Sequence, residues 1–432
     1  MKHFHAVVLL AMALPLVAQG QAQPAPVPGP ASAPLTVDEA VAEARQGNPA
    51  IRAAVRRLSL AQMKISTARS LDDPMFQVRD WGTPLSKPWD LNQAQVMLML
   101  QQTFPSRLKR DMRAKVAGDD AAVAAEDLEA LRQEVDASVR KACADLMRNA
   151  DEMKLHDRQS DLLKEAVAAA LAQYTTGKVP QAEVLRAQMA LTRLSEHLIE
   201  LEEERDTARA ELNALIGRRA DDAIEITGAY TSAAPVPPLE DLERIAIEHR
   251  PELAGLRKQI AQSHDQSQLT RLAMKPDFTV GAGYMLMPTG SMARNAYMAE
   301  VGMNLPWLNR ERHNGEAKQA DAATEVTKSE LEARTTVVFS EIRQAQIAVQ
   351  AAEKRTKLYR DTLLPQAEAT FKASAAAYQN NRAEFQMLID SHNLLLDIQT
   401  AFYKASAATD AGLAQLQRAI GAPLPIDERT SK

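Results

Sequence analysis

Long stretches of the chain place apolar residues at alternating steps of three and four, and short stretches between them alternate apolar and polar residues. Steps of three and four are typical of helices that pack as coiled coils, whereas strict alternation is typical of β-strands. No proline occurs between Pro105 and Pro180, so residues 106–174 are predicted to form one helix about 100 Å long. A returning helix is predicted after Gly177, because Pro180 in its first turn lacks only an N–H that would be unpaired there. The pattern predicts long helical hairpins joined to short strands.

The chain contains the same unit twice. Pro49 and Pro251 lie in matching segments, NPAIRAA and RPELAGL, 202 residues apart, and Gly217 and Gly421 follow matching helices 204 residues apart. Internal duplication at a fixed offset indicates a repeat architecture. The predicted organisation is a signal peptide at 1–22, a Pro/Ala linker at 23–34, a first repeat at 35–229, a second linker at 230–238, a second repeat at 239–423 and a tail at 424–432.

Each repeat has the same predicted order of elements. It begins with a helix, at 37–70 and at 242–273, that stops at a turn containing proline. Two strands follow in each repeat, at about 74–81 and 93–104 and at about 277–287 and 296–305. Each repeat then continues into a helical hairpin, at 106–217 and at 308–421. The fold class is therefore mainly α with a small β portion.

The strands have one apolar face and one face that tolerates polar residues. In the second repeat Val280, Tyr284 and Val301 fall on the apolar face, while Met298 and Glu300 fall on the other. This arrangement is typical of strands in a membrane β-barrel. Four strands alone cannot close a barrel, because both edges would present unpaired backbone groups to lipid. Several chains are therefore expected to share one barrel.

The N-terminal segment indicates export. Residues 1–22 combine Lys2, an apolar stretch of about a dozen residues and small residues near a cleavage point, as signal peptides do. The stretch is shorter than the roughly 20 residues of a spanning helix, so membrane crossing is assigned to the strands. The only cysteine, Cys143, lies far from the cleavage point, and no lipid anchor is expected. With 51 Lys and Arg against 56 Asp and Glu, the chain lacks the basic footprint of a nucleic-acid-binding protein.

Several segments resemble the TolC family of outer-membrane efflux proteins. They are NPAIRAA, RPELAGL, QQTFPSRLKR before the first long helix, LLPQAEATFKASAAAY before a turn, and LNALIGR and LQRAIGA at the unit ends. The resemblance covers nearly the whole chain after residue 22. It implies a homotrimer, with a 12-strand β-barrel in outer-membrane lipid and a 12-helix α-barrel in the periplasm. It also implies a passage and not an enzyme, with a periplasmic adaptor protein and an inner-membrane pump as partners.

One part of the resemblance is more specific. Asp72–Arg113 is similar to members that serve heavy-metal cation pumps of the RND type, although the chain lacks the lipidated cysteine and the Pro-Gly-Lys found in many of them. The basic residues after the second strand, Arg107, Lys109, Arg110 and Arg113, are expected to extend to the inner edge of the membrane.

The resemblance also assigns residues at the far end of the hairpins. The tips Tyr174–Gly177 and Tyr378–Asn381 are expected at the periplasmic end, where the pore narrows and an adaptor makes contact. Asp390 matches a position that supplies a carboxylate ring, which would favour cations in a narrow passage. A solvated coiled-coil face explains Asp390 equally well. Glu183 matches an acid that ties adjacent helices shut, and Arg186 could pair with it or with Asp390, although an ordinary helix pair is the plainer interpretation.

No catalytic, cofactor or metal site is predicted. Seventeen methionines invite a copper interpretation, and Met97, Met99, Met285 and Met298 fall on the face predicted to line the pore. Methionine is also a common gap filler, and no His or Cys joins these four. The eight histidines show no H-x-x-x-H or H-E-x-x-H spacing, and Cys143 has no recognisable base.

Two other functions remain open from the sequence. A channel for drug efflux or type I protein secretion would have the same architecture, because a passive duct takes its selectivity largely from the pump. A periplasmic coiled-coil adaptor or scaffold would be a protein of another class. An adaptor would need one hairpin beside a Gly-rich β-sandwich, and a scaffold would not need the strand pairs, so the outer-membrane duct is the favoured interpretation.

Overall fold

The structure is a computed structural model that describes residues 34–81, 86, 95–230, 236–288, 290–380 and 382–424. The predicted signal peptide, most of the first linker and the tail after residue 424 lie outside these ranges. The strands are β1 (Leu35–Thr36), β2 (Met75–Trp81), β3 (Gln95–Phe104), β4 (Ile226–Thr227), β5 (Phe278–Leu286) and β6 (Asn295–Met303). The helices are α1 (Val37–Gly47), α2 (Pro49–Arg69), α3 (Arg107–Thr175), α4 (Gln181–Ile216), α5 (Leu239–His249), α6 (Pro251–Leu272), α7 (Arg310–Leu358), α8 (Leu364–Gln379) and α9 (Phe385–Ile420).

Each repeat begins with two helices where the sequence predicts one. Asn48 interrupts the first, because a residue before proline is pushed out of the helical region. Its side-chain oxygen caps α2, and its Nδ2 donates to the Leu215 carbonyl near the end of α4 at 2.7 Å. Arg250 occupies the same place in the second repeat, is fully buried, and donates to the Ala419 carbonyl at 3.0 Å. Both breaks therefore anchor the start of a repeat to the end of its returning helix.

Glycine is required where each returning helix ends. Gly217 and Gly421 have φ of +81° and +74°, in the left-handed region that favours glycine. A Cβ on Gly217 would lie 2.3 Å from the carbonyl oxygen of Gly47, and one on Gly421 would lie 2.6 Å from the Cα of Arg250. Each repeat packs a separate apolar core around this junction, one including Val139 and the other Ile342.

The strands form a four-stranded antiparallel sheet in the order β2-β3-β5-β6. Val280 lies opposite Val301, and Tyr284 lies opposite Tyr297, so the apolar positions of the second repeat share one face. Gly281 lies opposite Glu300 on the other face. The predicted alternation of the strands is confirmed by this register.

The two hairpins are long and not quite alike. The 69-residue α3 confirms the predicted helix and spans about 100 Å. In the second hairpin a π-helical turn, Tyr359–Leu363, separates α7 from α8. Pro365 follows this turn, lacks an N–H and would clash with the carbonyl four residues before it. The π turn absorbs this conflict, so the helix continues past the proline.

The chain has two uncovered sides, and each side runs from the sheet along the helices. Helix α3 packs between α4 and α9 in the hairpin region and between α2 and α6 near the sheet. Strand β2 and helices α2 and α4 lie along one side of the chain, while strand β6 and helices α7 and α8 lie along the other. We call these the first edge and the second edge.

Candidate channel lining and hairpin tips

The outer face of the sheet is apolar and uncovered. Its exposed large side chains include Phe76, Val78, Leu100, Phe278, Val280, Tyr297 and Val301. Tyr297 is 91% exposed and Val301 is 76% exposed, although both are side chains that folding normally buries. A continuous exposed apolar surface marks contact with a membrane or another protein. No helix of the described residues is both long and apolar enough to cross a membrane.

The opposite face, which we call the inner face, carries methionine, glutamine and one carboxylate. Met97 and Met99 on β3 are 7% and 2% exposed. The Gln101 amide donates to the Met99 sulfur at 2.9 Å and to the Glu300 carboxylate on β6 at 3.1 Å. Polar and polarizable groups thus contact each other on this face, which suits a wall that meets water.

The junction between sheet and helices contains a buried ion pair. The Lys109 side chain is only 7% exposed, and its Nζ donates to the Lys275 carbonyl and to the Asp277 carboxylate, both at 2.8 Å. The expectation that Lys109 extends to the membrane edge is therefore wrong. Its ammonium group instead binds the segment that leads into β5, because a buried charge must be paired. Arg107 does remain exposed, beside Asp111.

The first hairpin tip is a glycine turn. Gly177 has φ of +72° and donates its N–H to the Tyr174 carbonyl at 2.9 Å. Pro180 then occupies the N-cap, one residue before α4, whereas the sequence predicts it in the first turn of this helix. The Tyr174 ring is 42% exposed at the end of α3. The turn therefore presents an aromatic side chain to solvent at the far end of the hairpin.

The second tip packs an aromatic pair. Tyr378 and Phe385 lie edge to face with ring centroids 5.7 Å apart across the turn, and Phe385 is 1% exposed. Asn380 donates its side-chain amide to the Ala376 carbonyl at 2.7 Å, which ends α8. Asn381 lies outside the described residues. This tip is more firmly packed by its own side chains than the first.

Glu183 connects the two tips electrostatically. It lies in the first turn of α4, where the helix dipole favours an acid. One of its carboxylate oxygens is buried without a hydrogen-bond partner, and so is the Tyr378 hydroxyl. Burial raises the pKa of Tyr378, and the nearby Glu183 carboxylate raises it further. Glu183 therefore faces the second hairpin and does not pair with Arg186 within its own helix.

Arg186 and Asp390 line a shared groove. This groove, of about 610 Å³, lies between α4 and α9, with Leu163 of α3 also in its lining. Both side chains are exposed, and Asp390 accepts a hydrogen bond from Gln386 at 2.7 Å. Among the described side chains, no ion pair joins Glu183, Arg186 and Asp390. The structure thus brings Arg186 and Asp390 to one groove without pairing them.

A buried polar seam in α3 was not found from the sequence. Its members face the neighbouring helices at helical spacing: Asn149, Glu152, His156 and Gln159. Gln159 is hydrogen-bonded to His392 of α9, and the His156 ring lies 5.3 Å from the His197 ring of α4. Burial lowers the pKa of His156 and of His392, which favours the neutral imidazole at both positions. The signal was present as polar residues at coiled-coil core spacing.

No group of three or more His, Cys, Asp or Glu side chains in the described part of the chain is placed to hold a metal ion. Cys143 is fully buried, and burial raises the pKa of its thiol to about 12, which keeps it protonated.

Comparison with known proteins gives a family and a relative. Residues 40–218 match the family described as Outer membrane efflux protein. The chain is 21% identical over 391 residues to the cobalt-zinc-cadmium resistance protein CzcC of Cupriavidus metallidurans, covering 90% of this chain and 91% of that protein.

Solved structures share the fold. CmeC, an outer membrane channel of Campylobacter jejuni, superposes with a TM-score of 0.75 at 13% identity, covering 91% of this chain and 87% of that one. CusC gives a TM-score of 0.74 at 13% identity, covering 90% and 92%. The outer membrane protein VceC of Vibrio cholerae gives 0.71 at 18% identity, covering 90% and 96%. The sheet and both hairpins therefore have counterparts in known outer-membrane channels.

Proposed function

We propose that this chain belongs to the outer membrane efflux protein family, which residues 40–218 match, and that it is the outer-membrane duct of a tripartite heavy-metal efflux system. In this proposal an inner-membrane pump and a periplasmic adaptor pass cations into the duct, which carries them to the exterior. The main observation behind this proposal is that one chain joins a four-stranded sheet with an apolar face to two long helical hairpins.

The open edges support assembly as a trimer. Both β2 and β6 have a neighbour on one side only, and in lipid their free backbone groups would each cost several kcal/mol. Exposed apolar side chains follow the same two edges along the helices, with Met63 on α2, Ile199 on α4 and Val326 on α7. Three chains joined first edge to second edge would close a barrel of twelve strands and continue it as a cylinder of helices.

The hairpin tips supply the proposed gate. In a trimer Asp390 would recur three times around one axis, with Arg186 beside it in the groove between α4 and α9. Glu183 would lie nearer the tip, in the first turn of α4. Carboxylates around a narrow passage favour cations. An adaptor that binds the tips at Tyr174 would open the passage by untwisting the returning helices, 181–217 and 382–421, as rigid bodies.

Heavy-metal cations are the proposed substrates because CzcC is similar to this chain over nearly its whole length. CzcC is described as a cobalt-zinc-cadmium resistance protein, and the similarity spans 90% of this chain. Drug efflux and type I protein secretion would use the same duct, and the experiment below distinguishes metal efflux from drug efflux.

The experiment compares cells that lack this chain with cells that carry it or its Ala299→Arg variant. Ala299 lies at the centre of β6 on the outer face, so the variant should not assemble. Loss of the duct should increase sensitivity to zinc, cobalt or cadmium ions, and only the unmodified chain should restore resistance. Increased sensitivity to antibiotics alone would contradict metal efflux and favour a drug duct.

A second arm tests the partners. The unmodified chain should co-purify with an adaptor and a pump after crosslinking in mild detergent, and should itself crosslink as a trimer. Tyr174→Asp at the exposed tip should reduce recovery of the adaptor, whereas Leu162→Asp on the exposed side of α3 should not. A stable, well-folded monomer that captures neither partner would contradict the proposed assembly.

A further inference from the structure

Four methionines lie together on the inner face of the sheet. Met97 lies directly opposite Met285 across the β3–β5 pair. In the next row of the same face Met99 lies opposite Gly283, which in turn lies opposite Met298 on β6. We call Met97, Met99, Met285 and Met298 the methionine cluster. Three adjacent strands thus contribute a thioether to one small area.

Glycines keep this area open. Gly281 and Gly283 alternate with apolar residues along β5 and present no side chain to the inner face. A Cβ on Gly281 would lie 3.5 Å from the Met99 sulfur, so this sulfur reaches over the backbone of the neighbouring strand. A methionine side chain has three rotatable bonds and adapts to its contacts. The thioethers can therefore converge without moving the strands.

Two of the four sulfur atoms already act as hydrogen-bond acceptors. The Gln95 amide donates to the Met285 sulfur at 3.0 Å, and the Gln101 amide donates to the Met99 sulfur at 2.9 Å. A thioether is a weak acceptor, so a soft cation that binds sulfur loses little by displacing an amide. The Glu300 carboxylate, bonded to Gln101, adds a negative charge beside the cluster.

One nearby charge limits where a cation can bind. Arg79 of β2 lies opposite Met97 on the side away from Met285, and its guanidinium donates to Gln77 at 2.9 Å. Its positive charge disfavours a cation between β2 and β3. The favourable position is therefore between β3 and β5, where Met97 faces Met285 and Met99 lies above the glycines.

We propose that the methionine cluster binds a soft monovalent cation, Cu(I) or Ag(I), through two or three thioether sulfurs. This inference rests on the proposed duct function, in which the inner face lines the passage. Thioether sulfur selects soft ions over zinc and cobalt, which prefer imidazole and carboxylate. Neutral thioethers bind without trapping the ion, and conduction requires sites that an ion can leave. The cluster extends the substrate class of the duct to soft monovalent metals.

The test titrates Ag⁺, as the nitrate in chloride-free buffer, into the purified full chain in detergent and follows the heat of binding. Two variants, each with three Met→Leu substitutions, are compared with the unmodified chain. The cluster variant carries Met97→Leu, Met99→Leu and Met285→Leu. The control variant changes exposed methionines outside the inner face and carries Met63→Leu, Met189→Leu and Met303→Leu. Circular dichroism and trimer crosslinking establish that each variant is folded.

The unmodified chain and the control variant should bind one Ag⁺ per chain with the same affinity. The cluster variant should bind at least tenfold more weakly, and a hundredfold excess of Zn²⁺ should not displace the ion from the unmodified chain. Arg79→Gln should tighten binding, because it removes the opposing charge. Equal loss in both triple variants, or no loss in the cluster variant, would overturn the proposal.

X-ray absorption at the silver edge of the unmodified, Ag⁺-loaded chain provides a measurement that needs no variant. A shell of sulfur neighbours supports the cluster, and a shell of oxygen or nitrogen alone refutes it. Binding by the purified chain does not depend on a pump, so this inference can fail while the duct still confers metal resistance. Conversely, Ag⁺ can bind the cluster in a chain whose deletion changes no resistance, which would refute the proposed function alone.

Discussion

An arginine placed on the outer face of the sheet tests the membrane assignment most directly. Strand β6 has nine residues, and at about 3.4 Å per residue and a tilt of about 40° it spans about 23 Å. This length matches the roughly 25 Å apolar band of an outer-membrane barrel. Ala299 is the central residue of β6, and Val301 lies about 5 Å nearer the helical end of the sheet on the same face.

The expected cost follows from depth. Arginine facing lipid at the bilayer centre costs about 2–4 kcal/mol, and close to the interface about 0–1 kcal/mol. Three copies of Ala299→Arg would then cost a trimer about 6–12 kcal/mol, comparable with the whole stability of an ordinary domain. Val301→Arg should cost less, and Met303→Arg at the end of the strand should cost least.

The assay measures the fraction of chain recovered from outer membranes as heat-resistant trimer. Recovery should fall in the order Met303→Arg, Val301→Arg, Ala299→Arg. Met298→Arg provides the matched control, since Met298 is the next residue along β6 at nearly the same depth but lies on the inner face. Normal assembly of Ala299→Arg, or equal failure of Met298→Arg, would show that the outer face does not contact lipid.

Three further predictions concern the gate, the pH response and the helix ends. Replacing Glu183 and Asp390 together by alanine should raise single-channel conductance and lower cation preference in planar bilayers, and unchanged recordings would leave both as a solvated helix face. Burial, together with the nearby Asp265 carboxylate, raises the pKa of Asp119 from 3.8 to about 6, so the folded state binds an extra proton between these two values and loses stability as pH rises from one to the other. Asp119→Asn should therefore raise the melting temperature by a few degrees at pH 7.5 and by less at pH 4.5. An equal rise at both pH values would contradict this linkage. Gly421→Ala should cost about 2 kcal/mol or more in thermal unfolding because of its positive φ and its contact with Arg250, whereas Gly315→Ala, with open space around it, should cost nothing.

The elements that repeat with a regular period could be predicted from the sequence. Alternation along β5 and β6 gave the correct faces, because a side chain in a strand has only two directions. The absence of proline from 106 to 179 gave α3 nearly to its ends. In these places local pattern and tertiary contact favour the same structure.

Contacts between distant segments could not be predicted. Lys109 follows a strand and resembles a surface lysine, yet its Nζ binds the Lys275 carbonyl and Asp277, more than 160 residues away. Asn48 breaks the first helix partly because Leu215 offers it a carbonyl. Periodicity contains no information about which distant residue a side chain contacts. The sequence therefore indicates the surroundings of such a polar residue only from its neighbours along the chain.

In the proposed trimer, the first edge of one chain would meet the second edge of the next, so the contact would join unlike surfaces. A head-to-tail interface of this kind either closes into a ring or continues as an open filament, and only the rotation between neighbours decides which. Before the ring of chains closes, β2 and β6 can each pair with another strand of suitable sequence, including a strand of a second copy in the wrong register. The newly exported chain would therefore need escort through the periplasm, and the final step of its biogenesis would be the simultaneous loss of every free edge when the third copy joins.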